Sequence, residues 1–323
     1  MSQPAPSPSD PTRIAIVGAG SVGATCAYAL LLSGLVREIV LIDANRARAE
    51  GEAMDLSHAA PFAQPVRIWA GELADCAGAA VTIICAGSAQ KPGETRLDLA
   101  RKNAAIIASI APEVARHNPT GIILVASNPV DVLTYAAWKL SGLPPAHVIG
   151  SGTVLDTARF RHLLSLHFHV DPRSVHAFII GEHGDSEAPV WSLANIAGMP
   201  LAAFAEAEGT PYDAAVTDDL FRQTQQAAYH IIERKGATYY AVGAGLMRIV
   251  EAILRDQSTV LPVSSLITGY YGIDDVSLSL PTIIGRGGVE RVLRLPLEPG
   301  EVESLRRSAE VLRGTLRDLE LTR

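Results

Sequence analysis

Four short segments of the sequence gather side chains able to move protons or hold anions. They are Gln90-Lys91-Pro92-Gly93-Glu94-Thr95-Arg96, Ser127-Asn128-Pro129, Leu155-Asp156-Thr157-Ala158-Arg159 and Gly181-Glu182-His183-Gly184-Asp185. Histidine suits proton transfer at neutral pH, because an imidazole titrates near that point. Arg96 and Arg159 carry planar guanidinium forks, which match a carboxylate at two points where lysine offers a single charge. Taken singly, each segment has a plainer reading. The first is a polar surface loop and the second an Asn-Pro turn. Asp156 and Arg159, three residues apart, fit a surface helix pair, and His183 among glycines fits an ordinary loop histidine.

A fifth segment speaks to a different ligand. Gly18-Ala19-Gly20-Ser21-Val22-Gly23 has the G-x-G-x-x-G spacing, a weak signal by itself. Its context raises its weight, because it follows an apolar run, Ile14–Val17, and opens a helical pattern, Ser21–Ser33. Gly18 permits a tight turn, Gly20 lets a pyrophosphate approach the backbone, and Gly23 lets helix and strand pack closely. The first N–H groups of the helix then face the anion. Asp43 lies 20 residues beyond Gly23, at the end of a second apolar run. A carboxylate there accepts hydrogen bonds from an adenosine ribose and repels a 2′-phosphate, so NAD is expected rather than NADP. The alternative is an ordinary strand-end aspartate.

These residues need a scaffold, and the hydrophobic pattern supplies one. Ile14–Val17, Ile39–Ile42, Val81–Cys85 and Ile122–Val125 are short apolar runs bounded by turn residues and separated by helical patterns. Buried parallel strands read this way. The expected fold class is α/β, a doubly wound parallel sheet of the Rossmann type. Right-handed crossovers gather the strand ends at Gly18, Asp43, Gly87 and Asn128 on one edge. The second half differs. It reads as a helix over Val154–Leu166, a strand over Val175–Ile180 and a helical stretch from about Thr217 to Arg255 broken at Gly236. Val260–Thr268 and Val276–Ile284 then suggest an antiparallel hairpin, and Val302, Leu305, Leu312, Leu316 and Leu319 line a closing amphipathic helix. The expected organisation is a flexible tail over 1–11, a dinucleotide-binding domain over 12–150 and an α+β catalytic domain over 151–323.

Bulk properties bound the rest. A chain of 323 residues, 48% hydrophobic, suits two packed domains. A formal net charge of −7 without a long basic stretch argues against nucleic acid or an anionic membrane as partner. No apolar run approaches the roughly 20 residues of a membrane helix. Cys26, Cys76 and Cys85 give no disulfide framework, and the Pro- and Ser-rich start lacks the layout of a signal peptide. A cytoplasmic location is expected, and no metal site.

Together and in this order, the segments resemble the lactate/malate dehydrogenase family. The likeness runs from Ile14 to the C-terminal helix. Its most specific parts are Gly150-Ser151-Gly152-Thr153 leading into Leu155–Arg159, and Glu182-His183-Gly184-Asp185. The resemblance implies an NAD-dependent oxidoreductase acting on 2-oxo and 2-hydroxy acids. It makes His183 the general acid/base, Asp156 the carboxylate that orients the imidazole and stabilises its charged form, and Arg159 the grip on the substrate carboxylate. It makes Arg96, on a lid loop, the group that polarises the ketone oxygen as negative charge grows there. Asn128 holds the nicotinamide and substrate side of the pocket, and Thr238 lines the substrate site. Gly18, Gly20, Ser21, Val22, Gly23, Asp43 and Gly87 hold the dinucleotide. A non-enzymatic NAD-binding protein has no use for a proton donor, so His183, Asp156, Arg159 and Arg96 together disfavour that reading.

Gln90 is the discriminating position. The malate branch typically has arginine there, to meet oxaloacetate's second carboxylate, whereas glutamine is neutral and closes over a methyl group. Burying a second carboxylate without a counter-charge is costly. Pyruvate and (S)-lactate are the expected pair, with oxaloacetate or bulkier 2-oxo acids as the alternative. The resemblance also implies a homotetramer and, as in many bacterial members, activation by fructose 1,6-bisphosphate at a subunit interface. Arg161 and His176 occupy the matching positions. Alternation from Val175 to Ile180 puts His176 and Phe178 on one strand face.

Overall fold

The computed structural model describes residues 12–89 and 93–322. The expected tail over 1–11, and Gln90 with Lys91, lie outside the described residues. Six parallel strands, β1 (Arg13–Val17), β2 (Glu38–Ile42), β3 (Arg67–Ala70), β4 (Ala79–Ile84), β5 (Ile122–Val125) and β6 (Val148–Gly150), lie in the order β3-β2-β1-β4-β5-β6. β1 pairs in parallel with both β2 and β4, so the chain winds outward in two directions from β1. The apolar runs are continuous because both faces of the sheet are covered. Ile14, Ile16, Leu41 and Ile83 face one core cluster, and Ala15, Val17, Val40 and Ile84 the other. β3 and β6 escape a reading of apolar runs. The first is only half-buried and the second has three residues.

The covering helices of the first half are α1 (Ser21–Ser33), α2 (Arg46–Ala59), α3 (Arg96–His117) and α4 (Val130–Ser141). The second half adds α5 (Val154–Phe168), α6 (Leu201–Glu208), α7 (Ala214–Lys235), α8 (Tyr240–Leu254) and α9 (Pro299–Asp318). Gly236 separates α7 from α8 in the left-handed conformation, φ 83°, which costs glycine nothing.

Two expectations for the second half need correction. Val175–Ile180 is not one strand. β7 (Val175–His176) pairs with Asn195–Ile196, whereas β8 (Ile179–Ile180) pairs with Ala188–Pro189. Between them the Ala177 carbonyl turns to Arg161 instead of a strand partner, accepting from its Nε at 2.9 Å. The expected hairpin is also divided. Ser264–Tyr270 pairs with Ile273–Ser279, while Thr259–Leu261 pairs with Thr282–Gly285 in a separate sheet. Pro262 and Pro281 sit at the two break points, and neither can donate to a ladder. The hairpin joins β6 through Ser264 and Gly150, which extends the large sheet to eight strands. Residues beyond 150 thus complete the sheet that carries the glycine-rich turn. No helix among the described residues is long and apolar enough to cross a membrane.

Candidate active site

At the ends of β1, β2 and β4 the backbone is drawn tight. Gly18 N–H donates to the Ile42 carbonyl, Cys85 N–H to that of Val17 and Ala19 N–H to Asp43 Oδ2, each at 2.7 Å. Gly18 has φ 104°, and a Cβ on it would lie 2.5 Å from Ala86 N. A Cβ on Gly23 would lie 1.9 Å from the Gly18 oxygen, so glycine alone lets α1 pack on the turn. At Gly20, in contrast, a Cβ would meet nothing within 4 Å. Gly20 precedes α1, whose N-terminus carries no side-chain cap. Beside Gly20 and Ser21 the first N–H groups of the helix are left for an anion. Asp43 is fixed on the same rim, its Oδ1 accepting the Asn45 N–H at 2.8 Å, and its remaining lone pairs are free for ribose hydroxyls. An open phosphate cradle, an uncapped helix and an anchored acid one strand away fit a dinucleotide.

The segment around His183 is fastened on both sides. Thr153 Oγ1 donates to the Ile179 carbonyl at 2.6 Å, and Ile179 N–H donates to Thr157 Oγ1 at 2.9 Å, which sews β8 to the start of α5. Gly181 exchanges two main-chain hydrogen bonds with Ser279 of the hairpin, both 2.9 Å. The chain then brings His183 Nδ1 to 2.5 Å from Asp156 Oδ2. Arg159 Nη1 donates to the other oxygen of Asp156 at 2.9 Å. The main-chain N–H of His183 donates to Asp131 Oδ2 on α4 at 2.7 Å.

The charges follow from these contacts. Burial disfavours ionised Asp156, but His183 and Arg159 hold its carboxyl below the usual range. Burial also opposes the imidazolium; the charge and hydrogen bond of Asp156 override it and carry His183 up to about 9. At neutral pH His183 is protonated, its Nδ1 is committed to Asp156, and Nε2 is left to exchange a proton. Burial pushes Asp131 up to about 7, partly offset by the N–H it accepts from His183.

A cavity of about 450 Å³ opens over His183, lined by Arg96, Asn128, Asp156, Arg159 and Glu187 among others. A smaller one of about 160 Å³ reaches toward α1 and is lined by Val22, Ser151 and Thr238. Asn128, Arg159 and His183 line both. Of the expected substrate residues, Asn128 and Arg159 therefore stand where the two cavities meet, with Arg96 on the wall of the larger and Thr238 on that of the smaller. Arg96 opens α3, whose N-terminus is fixed by reciprocal Thr95–Asp98 capping bonds of 3.1 Å. Its guanidinium lies 2.6 Å from Asp185 Oδ2 and donates to the Tyr229 hydroxyl at 2.8 Å. Arg161 and His176 line neither cavity. Arg161 covers the Phe178 ring at 5.1 Å, and His176 is exposed on β7.

Three supporting residues escape the sequence reading. Asn103 on α3 accepts the Ser88 N–H at 2.8 Å and donates to the Asn128 carbonyl at 2.7 Å, which ties the loop after Gly87 to Asn128. Its signal is a lone amide on the buried face formed by Ala100, Ile107 and Ala111. Asp131 has no local signal, since its partner His183 is 52 positions away. Glu187 follows the His183 motif but reads as one more polar loop residue.

The two halves of the chain match two models of one family. Residues 12–150 match the lactate/malate dehydrogenase NAD binding domain, and residues 153–320 match the lactate/malate dehydrogenase alpha/beta C-terminal domain. The L-lactate dehydrogenase of Synechococcus sp. (strain JA-3-3Ab) is 55% identical over 298 residues, 92% of this chain and 96% of that protein. The L-lactate dehydrogenase of Thermoanaerobacter sp. (strain X514) is 51% identical over 309 residues, 96% of this chain and 99% of that protein. A solved lactate dehydrogenase from a Medee basin deep-sea metagenome library has a TM-score of 0.92 and 43% identity, covering 96% of this chain and 99% of that one. The ligand-bound minor L-lactate dehydrogenase of Enterococcus mundtii has a TM-score of 0.92 and 42% identity, with coverage of 97% and 99%. Fold and site together define an NAD-linked dehydrogenase built on a doubly wound sheet. The chain belongs to the lactate/malate dehydrogenase family.

Proposed function

We propose that the chain acts as an L-lactate dehydrogenase, interconverting pyruvate and (S)-lactate with NAD. The observation that carries the reading is the His183–Asp156 pair with Arg159 beside it, on the wall shared by the two cavities. NADH, when bound, supplies the hydride for the substrate carbon. His183 Nε2 gives a proton to the carbonyl oxygen and takes it back from the hydroxyl in the reverse direction. Asp156 stays ionised throughout and stabilises the imidazolium. Arg159 takes the substrate carboxylate on donors not committed to Asp156. Arg96 polarises the carbonyl oxygen, and to do so it exchanges Asp185 and Tyr229 for substrate. Asn128 and Thr238 bound the pocket.

Residues 12–150 hold the dinucleotide in this reading, and residues 151–323 supply the acid/base pair. Gly18, Gly20, Ser21, Val22, Gly23 and Gly87 shape the cradle, and Asp43 selects NAD over NADP. Gln90 closes over the methyl group of pyruvate. The working assembly is a homotetramer in the cytoplasm, with fructose 1,6-bisphosphate bound across an interface by Arg161 and His176. The support for the effector is local: Arg161 bonds the Ala177 carbonyl, the residue next to His176, so two basic side chains share one region.

The test is NADH oxidation with pyruvate and oxaloacetate in parallel. Pyruvate is expected to lead in kcat/KM by more than about tenfold, a margin that a single missing counter-charge supplies. A preference for oxaloacetate contradicts the assignment.

A further inference from the structure

Glu187 is a carboxyl group that the reaction as described does not use. It is buried, with 8% of its surface exposed. It lines the cavity over His183, and its Oε1 has no hydrogen-bond partner. An ionised carboxylate in that position is costly, while a neutral one is far less so. Burial and then the Asp156 charge push its pKa well above the usual range, against the pull of His183 and Arg159.

The surrounding charges limit what Glu187 can be. Asp185 bears on it from the same loop; in the free site Asp185 is paired with Arg96 of α3, the partner that Arg96 gives up when it turns to the substrate. Around it stand Asp156 and Arg159 from α5 and the His183 imidazolium, a net of one positive charge, with Glu182 and Asp318 also on the cavity wall. Asp131 of α4, behind His183, further cancels that charge once it ionises. Apart from Arg96, which the proposed reaction turns to the carbonyl oxygen, the site therefore has at most one positive charge to offer a carboxylate. An ionised Glu187 would compete with the substrate for Arg159.

We propose that Glu187 is a further binding determinant: it must carry a proton for the site to accept a substrate monocarboxylate. The inference rests on the functional reading above and deepens it. Substrate entry is then linked to two protons, one on His183 Nε2 and one on the Glu187 carboxyl. Above the His183 pKa of about 9, a substrate that enters must bring both protons with it.

Oxamate, a monocarboxylate of pyruvate's size that is not reduced, reports on this directly. It is titrated into the native enzyme–NADH complex, with occupancy read from NADH fluorescence and proton uptake from an indicator dye. His183 alone takes up at most one proton per oxamate. The expected uptake in the alkaline range exceeds one, and it falls to one or less in Glu187→Gln, whose amide does not ionise. Correspondingly, oxamate affinity at high pH falls toward about a hundredfold per pH unit in the native protein and about tenfold in the variant. A merely structural role for Glu187 weakens affinity at every pH and leaves the proton count alone. Uptake of one or less in the native protein overturns the proposal, whether or not the variant folds. Uptake above one that persists in Glu187→Gln also overturns it, because the second proton then belongs elsewhere. If oxamate does not bind at any pH, the functional reading falls and takes this inference with it.

Discussion

Nδ1 of His183 lies 2.5 Å from Oδ2 of Asp156, a contact between a loop and a helix that are 27 positions apart in sequence. The pair explains why the imidazole is charged at neutral pH despite its burial. Reduction of pyruvate needs the imidazolium. Because the folded-state pKa of about 9 is above the ordinary value, the reactive form is present at neutral pH and is lost as pH rises through about 9. Asp156→Asn removes the opposing charge and leaves burial to act. The alkaline limb of kcat/KM for pyruvate should move at least about one unit toward acid, with turnover at neutral pH falling about a hundredfold. A pH profile of the variant that overlies the native one contradicts the role given to Asp156.

In the proposed reaction Arg159 serves two partners, Asp156 in the protein and the carboxylate of the substrate. Arg159→Lys replaces the fork by a point charge. Hydrogen bonds between charged groups of this kind contribute about 1.5–3 kcal/mol each. The KM for pyruvate should rise about ten- to a hundredfold, with a smaller loss in kcat. Steady-state kinetics at saturating NADH separate the two, and an unchanged KM places the carboxylate elsewhere.

Asn103 binds two loops that must stay in register, the one after Gly87 and the one at Asn128. Asn103→Leu leaves the Ser88 N–H and the Asn128 carbonyl without this partner. We expect a loss of about 1–3 kcal/mol of stability in thermal or urea unfolding, together with a higher KM for NADH. Unaltered unfolding and unaltered NADH affinity would show that the loops hold their positions without it.

Arg161 and His176 stand apart from the two cavities, so an effect through them must be transmitted to the site. Pyruvate saturation curves with and without fructose 1,6-bisphosphate should differ. Arg161→Gln combined with His176→Gln should abolish the difference. Activation that survives the double substitution puts the effector elsewhere.

Much of this arrangement is legible in local patterns. Ile14–Val17 and Ile39–Ile42 announce themselves because strands covered on both faces carry no polar alternation. Two of the three glycines announce themselves because Gly18 needs a positive φ and Gly23 a bare Cα. Arg67–Ala70 does not, since an edge strand half open to solvent has no apolar signature. The split of the C-terminal hairpin is missed for another reason: hydrophobic runs do not say which sheet a strand joins, and Pro262 and Pro281 decide it by withholding donors. Within the site, His183 and Asp156 stand out through their motifs. Asp131 acquires its role only from burial beside His183, 52 positions away, and Glu187 from burial beside its own loop's His183 and beside Asp156 and Arg159 of α5, which no spacing encodes.

In the proposed reaction His183, held by Asp156, is the proton donor of a site that binds NADH independently of it. The most direct measurement is made on His183→Ala, with NADH affinity from fluorescence and pyruvate turnover on the same preparation. NADH affinity close to native is expected, with turnover reduced by about 10²- to 10⁴-fold, the range that a positioned acid contributes. Near-native turnover in that variant would contradict that role.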